Sequence, residues 1–281
     1  MSAVGYPDEK STLYKTFWPA NLHMVGKDIV RFHAVYWPAF LMAAGVAPPK
    51  RVFAHGWWTN EGQKISKSLG NVIDPFALVE TYGLDPVRYF LMREVPFGQD
   101  GDFSHKAIVH RINGDLANDY GNLAQRVLSQ INKNCNAAVP AAGPLFTGAD
   151  EALMTMAPSA LPKIREAMTS QAIQETLDII WSVIRAANRY VDEQAPWALK
   201  KTDPARMGTV LFALAETIRH IAILTQPFVP QASAKLLDQL AVPDDKRAFF
   251  HLDAANRLEP GTPLPAPEGL FPRYVVTAGA G

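Results

Sequence analysis

An α/β domain followed by an all-α helix bundle is the architecture this sequence predicts. Strand-like and helix-like runs alternate over roughly the first 110 residues, almost only helical periodicity follows from Ser104, and prolines punctuate the helical part. Leu22-His23-Met24-Val25 forms a short apolar strand ending at Gly26-Lys27-Asp28. Residues 29–44 then carry Ile29, Phe32, Val35, Tyr36, Ala39, Phe40 and Ala43 at helical spacing, and Gly45 and Pro48 stop that helix. Arg51 to Thr59 reads as a second strand and Asn60-Glu61-Gly62 as a turn, so the lysine-bearing loop after it leaves the sheet edge where open α/β sheets bind nucleotides. Pro75 to Tyr82 and Asp85 to Glu94 are short helices. Helical periodicity then covers 104–137, 150–169, 171–191, 204–225 and 230–240, broken by Pro140, Pro144, Pro196, Pro204, Pro227 and Pro230. The tail 251–281 is rich in Pro and Gly but holds Leu270-Phe271-Pro272-Arg273-Tyr274-Val275-Val276, the pattern of a strand or strap docked on the body. No internal repeat, heptad run or low-complexity segment is present.

Composition narrows the function classes. A chain of 281 residues, 48% hydrophobic and 19% charged, can bury a good core, so disorder is excluded as a general description. Lys+Arg and Asp+Glu both total 27, so no global positive field recruits nucleic acid, and RNA contact would need a local, shaped surface. Cys135, the only cysteine, excludes an intrachain disulfide and a cysteine-built zinc knuckle, and fits a reducing compartment, the cytoplasm by default. No stretch reaches the roughly 18 uninterrupted apolar residues of a membrane span, and the first residues lack a secretory pattern.

Four constellations carry candidate chemistry. Lys64-Ile65-Ser66-Lys67-Ser68, continued as Leu-Gly-Asn-Val-Ile-Asp-Pro, sets two lysines three apart on a Gly-bordered loop. Mobile ammonium groups can follow phosphate oxygens as charge redistributes, and the serines add compact donors, although an isolated pair of this kind is ordinarily a solvated basic loop. In Gly26-Lys27-Asp28-Ile29-Val30-Arg31-Phe32-His33, a glycine after a strand allows close backbone approach to a flat base and Asp28 can accept from ribose hydroxyls. Ile29 and His33 fall four apart on one helical face. The plainer reading is a strand–helix turn with a core histidine. Asn122 and Arg126 also share a helical face, where amide and guanidinium together can read base edges and phosphate, or simply be solvated. In Asp192-Glu193-Gln194-Ala195-Pro196-Trp197, the Pro-bounded tryptophan can stack on an unpaired base or plug a gap between helices.

These segments, in this order and together with Tyr82-Gly83-x-Asp85-x-x-Arg88, resemble the class I aminoacyl-tRNA synthetases, and among them the methionyl-tRNA synthetase family. Lys64 to Ser68 is similar to the family's Lys-Met-Ser-Lys-Ser signature, with Ile65 in the Met position. The resemblance spans Trp18 to the Phe271-Pro272-Arg273 tail. It implies that residues 1–103 are the second half of a Rossmann-type nucleotide-binding fold, that 104–250 form an α-helical anticodon-binding domain, and that 251–281 form a carboxyl-terminal strap. Residue by residue it implies ATP contacts from Gly26, Asp28, Trp58, Lys64, Ser66, Lys67 and Ser68, with Lys64 and Lys67 stabilising charge on the departing pyrophosphate. It further implies a methionine pocket walled by Ile29 and His33, and a reader of the CAU anticodon of methionine tRNA formed by Asn122, Arg126 and Trp197.

The implied reaction has two steps: attack of the methionine carboxylate on the ATP α-phosphate, then transfer of the methionyl group to the tRNA terminal ribose. Magnesium is the implied phosphate counterion. No metal is expected on protein ligands here, and zinc is not expected to be bound by this portion. The family's second ATP signature, His-Ile-Gly-His or a close variant, is not in this sequence. The chain therefore reads as a carboxyl-terminal portion, expected to make little or no adenylate alone and to expose an apolar sheet edge and face, while the helix bundle folds independently. A monomer without membrane contact is expected. The rival expectations are a non-catalytic tRNA anticodon-binding module, a synthetase of the same class for leucine, isoleucine, valine or cysteine, and a purely structural helical protein.

Overall fold

The computed structural model describes residues 1–143 and 146–275, apart from the side chain of Lys67. Pro144 and Val276 lie outside the described residues. The chain forms two compact units, one of Met1–Val72 with Val95–Phe103, the other of Ile73–Glu94 with Ser104–Gly281.

The first unit holds all five described strands. After α1 (Thr12–Phe17), β1 (His23–Gly26) pairs in parallel with β2 (Val52–His55), in the register His23↔Val52 to Gly26↔His55. Between them the sequence predicts one helix over 29–44. The structure instead has a 3-10 turn at Lys27–Ile29, a π-helical turn at Phe32–Tyr36, and α2 at Trp37–Ala43. Pro38 has no N–H to return to residue 34, and the turn before it widens, with Trp37 N–H reaching back to the Phe32 carbonyl.

The strand expected from Arg51 to Thr59 is also divided. β2 ends at His55 and β3 (Trp58–Asn60) belongs to a second sheet of order β4-β3-β5, with β4 (Gln63–Lys64) antiparallel and β5 (Gly101–Phe103) parallel to β3. The break falls at Gly56, so close to the 99–100 backbone that a Cβ would sit 2.1 Å from the Gln99 carbonyl oxygen. Trp57 N–H is drawn to Asp100 Oδ1 at 2.9 Å. β5, only three residues long, carries too little alternation for the sequence to reveal it.

The second unit contains α3 (Pro75–Tyr82), α4 (Leu84–Arg93), α5 (His105–Arg111), α6 (Asn122–Asn134), α7 (Gly148–Thr169), α8 (Ile173–Gln194), α9 (Pro196–Thr202), α10 (Pro204–Thr225) and α11 (Pro230–Gln239). A π-helical stretch, Ile112–Gly121, joins α5 to α6, so helical backbone runs through 105–134, close to the 104–137 that periodicity predicts. The short α9 is not among the helices predicted from periodicity. α10 is long and apolar enough by composition to cross a membrane, but it is almost entirely buried inside this unit, where it is the core helix. Around it close Tyr89, Tyr120, Trp181, Leu123 and Leu236.

Within α10, Glu216, Arg219 and His220 are buried together. Arg219 donates to both Glu216 oxygens at 3.0 and 2.6 Å, and to the His251 carbonyl at 2.8 Å, while Leu258 N–H donates to Glu216 at 3.1 Å. The tail is thereby pinned to the core. Through its described residues it continues as a strap without regular strand, burying Leu252, Leu258 and Leu264 and exchanging two hydrogen bonds between Tyr274 and Asn113. The Tyr82–Arg88 signature is also a brace: buried Asp85 accepts from Gln231 and Ala232 N–H at the start of α11, and Arg88 donates to the Pro227 carbonyl.

Candidate functional site

Lys64 sits in β4 at the mouth of the loop, which Asn71 closes. Its side chain donates to the Lys64 carbonyl at 3.1 Å and accepts from Ser66 N–H at 2.9 Å, while its own carbonyl accepts from Asn60. Ser66 and Ser68 hydroxyls bond each other at 2.6 Å. The backbone turns through a 3-10 segment at Lys67–Leu69, with Gly70 at φ 66; the Lys67 side chain lies outside what the structure describes. Beneath this loop lies a cluster that the sequence did not announce. The Trp57 ring receives the ammonium of Lys27 at 4.2 Å and that of Lys64 at 5.9 Å. Lys27 in turn is paired with Asp100 at 2.6 Å. The hydrogen bond from Lys27, then that from Trp57 N–H, holds the Asp100 carboxyl below its ordinary pKa. Trp58, the residue singled out from sequence, lies in β3 against Gly101 instead.

Gly26 ends β1, and a Cβ there would meet the Asp28 carboxylate at 2.5 Å, so the glycine permits the turn that places Asp28. His33 Nδ1 contacts the Ile29 carbonyl at 3.0 Å. His33 lines an open apolar cavity of about 770 Å³ with His23, Trp18, Phe32, Tyr36 and Trp37; Ile29 is 39% exposed and outside that lining. His23 faces His33 edge-on, ring centres 6.4 Å apart. Burial, then repulsion from His33, lowers the His23 pKa, which favours a neutral imidazole in the cavity. Among the described residues no group of three His, Cys, Asp or Glu could hold a metal ion.

In the helical unit, Arg126 and Trp197 meet. The guanidinium lies 5.8 Å from the indole centre, and both line a cavity of about 270 Å³ with Gln125, Gln130, Val191 and Leu211. Trp197 is 47% exposed, leaving a ring surface open for stacking. Arg126 is also paired with Asp192 at 2.6 Å, so an incoming phosphate or base would compete with a carboxylate already in place. Asn122 lines an adjoining cavity of about 250 Å³ with Gly121, Phe271 and Arg273, and Gln125 contributes to the walls of both. The three expected residues therefore lie along one surface, two in one cavity and one in the next. Gln125 and Asp192 were not singled out from sequence, since neither a Gln nor an Asp on a polar helix face is distinctive there.

Two family models match successive parts of the chain, the first ending within α6 of the helical unit. The family described as tRNA synthetases class I (M) matches residues 1–128, and the anticodon binding domain of methionyl tRNA ligase matches residues 139–276. The chain is 61% identical over 280 residues to the methionine–tRNA ligase of Mesorhizobium japonicum, covering 100% of this chain and 54% of that protein. It is 51% identical to the Mycobacterium leprae enzyme over 98% of this chain and 51% of the relative. The chain thus spans about half the length of the curated relatives it matches. Among solved structures, the Mycobacterium tuberculosis methionyl-tRNA synthetase in its free state superposes with a TM-score of 0.91 at 48% identity, covering 98% of this chain and 54% of that one. The same enzyme in complex with methionyl-adenylate gives 0.92 at 50% identity, covering 97% and 54%.

Proposed function

The chain belongs to the methionyl-tRNA synthetase family, and on that premise we propose that it supplies the lysine loop and the anticodon reader of a methionine–tRNA ligase. The observation that carries the reading is the meeting of Arg126 and Trp197 at one cavity, with Asn122 in the next, on a helical unit built around one buried hydrophobic core. Trp197 offers a stacking face to a base of the CAU anticodon, Arg126 a guanidinium for phosphate or a base edge, and Asn122 an amide that can donate and accept. Residues 104–250 are the anticodon-binding part, 1–103 the catalytic part, and the tail from 251 a strap.

In the catalytic part Lys64 and Lys67 neutralise charge gathering on pyrophosphate as methionine and ATP form methionyl-adenylate, with magnesium as counterion. Gly26 and Asp28 serve the adenosine, His33 the methionine pocket. Asn71 keeps the loop shaped, and Trp57 gives the Lys64 ammonium a resting face between cycles. The chain by itself makes little or no adenylate, since no His-Ile-Gly-His run accompanies the lysine loop and the apolar cavity beside His33 stands open. Methionine-dependent exchange of pyrophosphate into ATP tests this; exchange well above background that Lys64→Ala abolishes would contradict the inactivity and leave the lysine's role standing. The second reading, an anticodon-binding module without catalysis, draws on the contrast in burial between the two units.

A further inference from the structure

We propose that Arg206, together with Asp150 and Gln194, is a positioning device for Trp197, so that anticodon selectivity depends on a clamp lying outside the RNA-facing cavity. The inference rests on the reading of Trp197 given above. Trp197 belongs to α9, a segment enclosed between Gln194, the last residue of α8, and Arg206, in the first turn of α10. Its two ends are tied together: Arg206 Nη2 donates to Gln194 Oε1 at 2.6 Å. The same guanidinium is held by two bonds to Asp150, Nη1 to Oδ2 at 2.5 Å and Nη2 to Oδ1 at 2.8 Å. Asp150 is fully buried near the start of α7, where it also accepts from the Tyr190 hydroxyl and from Thr147 N–H. The ends of α7, α8 and α10 thus converge on one carboxylate.

The corner between α8 and α9 needs such a tether. Ala195, a single residue between the two helices, has φ 42 and ψ 61, a left-handed conformation that a residue with a Cβ keeps only where its surroundings over-determine it. Gln194 immediately precedes it, and Trp197 follows two residues later. Releasing Gln194 lets Ala195 relax and turns the indole away from the Arg126 guanidinium. The clamp is constant across neutral pH: burial alone would raise the Asp150 pKa, but hydrogen bonds from Arg206 and Tyr190 and the Arg206 charge hold it well below the usual carboxylate range.

The test measures affinity of the full chain for methionine tRNA and for the same tRNA with its anticodon changed. It compares the unmodified protein with Gln194→Ala, Gln194→Glu, Trp197→Ala and the Gln194→Ala/Trp197→Ala pair, each checked by thermal unfolding. Gln194→Ala leaves the Asp150–Arg206 pair intact, so folding should persist while the preference for the methionine anticodon falls about three- to tenfold. Gln194→Glu, which keeps an acceptor for Arg206, should restore the preference, and the paired change should lose no more than Trp197→Ala alone. Full selectivity in Gln194→Ala, or additive losses in the pair, overturns the proposal. If Gln194→Ala fails to fold, Arg206→Lys, which keeps a cation beside Asp150 but not the fork to Gln194, must show the same loss. An unmodified chain without anticodon preference defeats the reading of Trp197 and the clamp with it, an outcome distinct from selective binding indifferent to Gln194.

Discussion

In the helical unit Tyr89, Phe90, Tyr120 and Trp181 are at most 1% exposed, whereas in the strand-bearing unit Phe17, Phe32, Phe40 and Trp57 are 48–67% exposed. The contrast extends to the buried apolar side chains as a whole. Among the described residues, Val25, Leu41 and Phe103 are the buried apolar side chains of the strand-bearing unit, while α10 alone buries more than that in the helical one. A recognition surface that stands on a closed core is formed before its ligand arrives. A nucleotide loop beside short strands and an open apolar cavity depends on further burial to become rigid. The proposed anticodon reader is accordingly the part of the molecule expected to work unaided.

The contrast is broken most severely at the buried charges of α10. Glu216→Gln would leave Arg219 buried without its anion and should cost about 3–5 kcal/mol in denaturant unfolding followed by helical signal; a loss below about 1 kcal/mol would mean that water reaches the cluster. Its pH dependence has a definite sign. Burial alone would raise the Glu216 pKa, but hydrogen bonds from His220 and Arg219 bring it down to about 2. Glu216 therefore contributes fully above its unfolded value of about 4.3, and the contribution is lost as pH falls towards 2. Burial lowers the His220 pKa against the pull of Glu216, with Arg219 and Arg257 also opposing its charge, so the unfolded chain takes up a proton that the folded chain refuses. Stability should begin to fall below about pH 6.5 and fall further below about 4.3. A denaturation midpoint that stays flat from pH 7 to 3 would contradict this.

A gentler probe compares like with like. Ile218→Ala in α10 should cost about 2–5 kcal/mol, and Leu41→Ala in α2 less than the lower end of that range, because the sparse surroundings of Leu41 can collapse around the change. Equal losses, read by unfolding and by amide exchange in β1 and α10, would erase the distinction between the units. The smallest expected effect is at the Tyr82–Arg88 signature. Asp85→Ala removes the acceptor at the start of α11 and should cost about 0.5–2 kcal/mol of helical-unit stability. If the residue acted on nucleotide instead, stability would stay unchanged.

Periodicity made the helices legible because α7, α8, α10 and α11 each bury one face or all faces in a single core. It failed where local chemistry overrode it: at Pro38, which turned an expected helix into three helical forms, and at Gly56, where the close backbone of Gln99 splits one expected strand between two sheets. Lys64, Arg126 and Trp197 could be picked out because their neighbours repeat a known pattern. Trp57, Asn71, Gln125 and the Asp150–Arg206–Gln194 clamp could not, since each acts through a partner brought near only by folding. Arg206 and Asp150, 56 residues apart, carry no mark in either segment that they meet.

The most direct test of the central claim, that the helical unit reads the anticodon unaided, is binding of this chain to methionine tRNA and to the same tRNA with an altered anticodon. The expected result is a clear preference for the methionine anticodon that Trp197→Ala reduces by about 1–3 kcal/mol, the worth of one base stacked on an aromatic ring, and that Arg126→Ala also weakens. Equal binding of the two tRNAs by a demonstrably folded chain would contradict the claim.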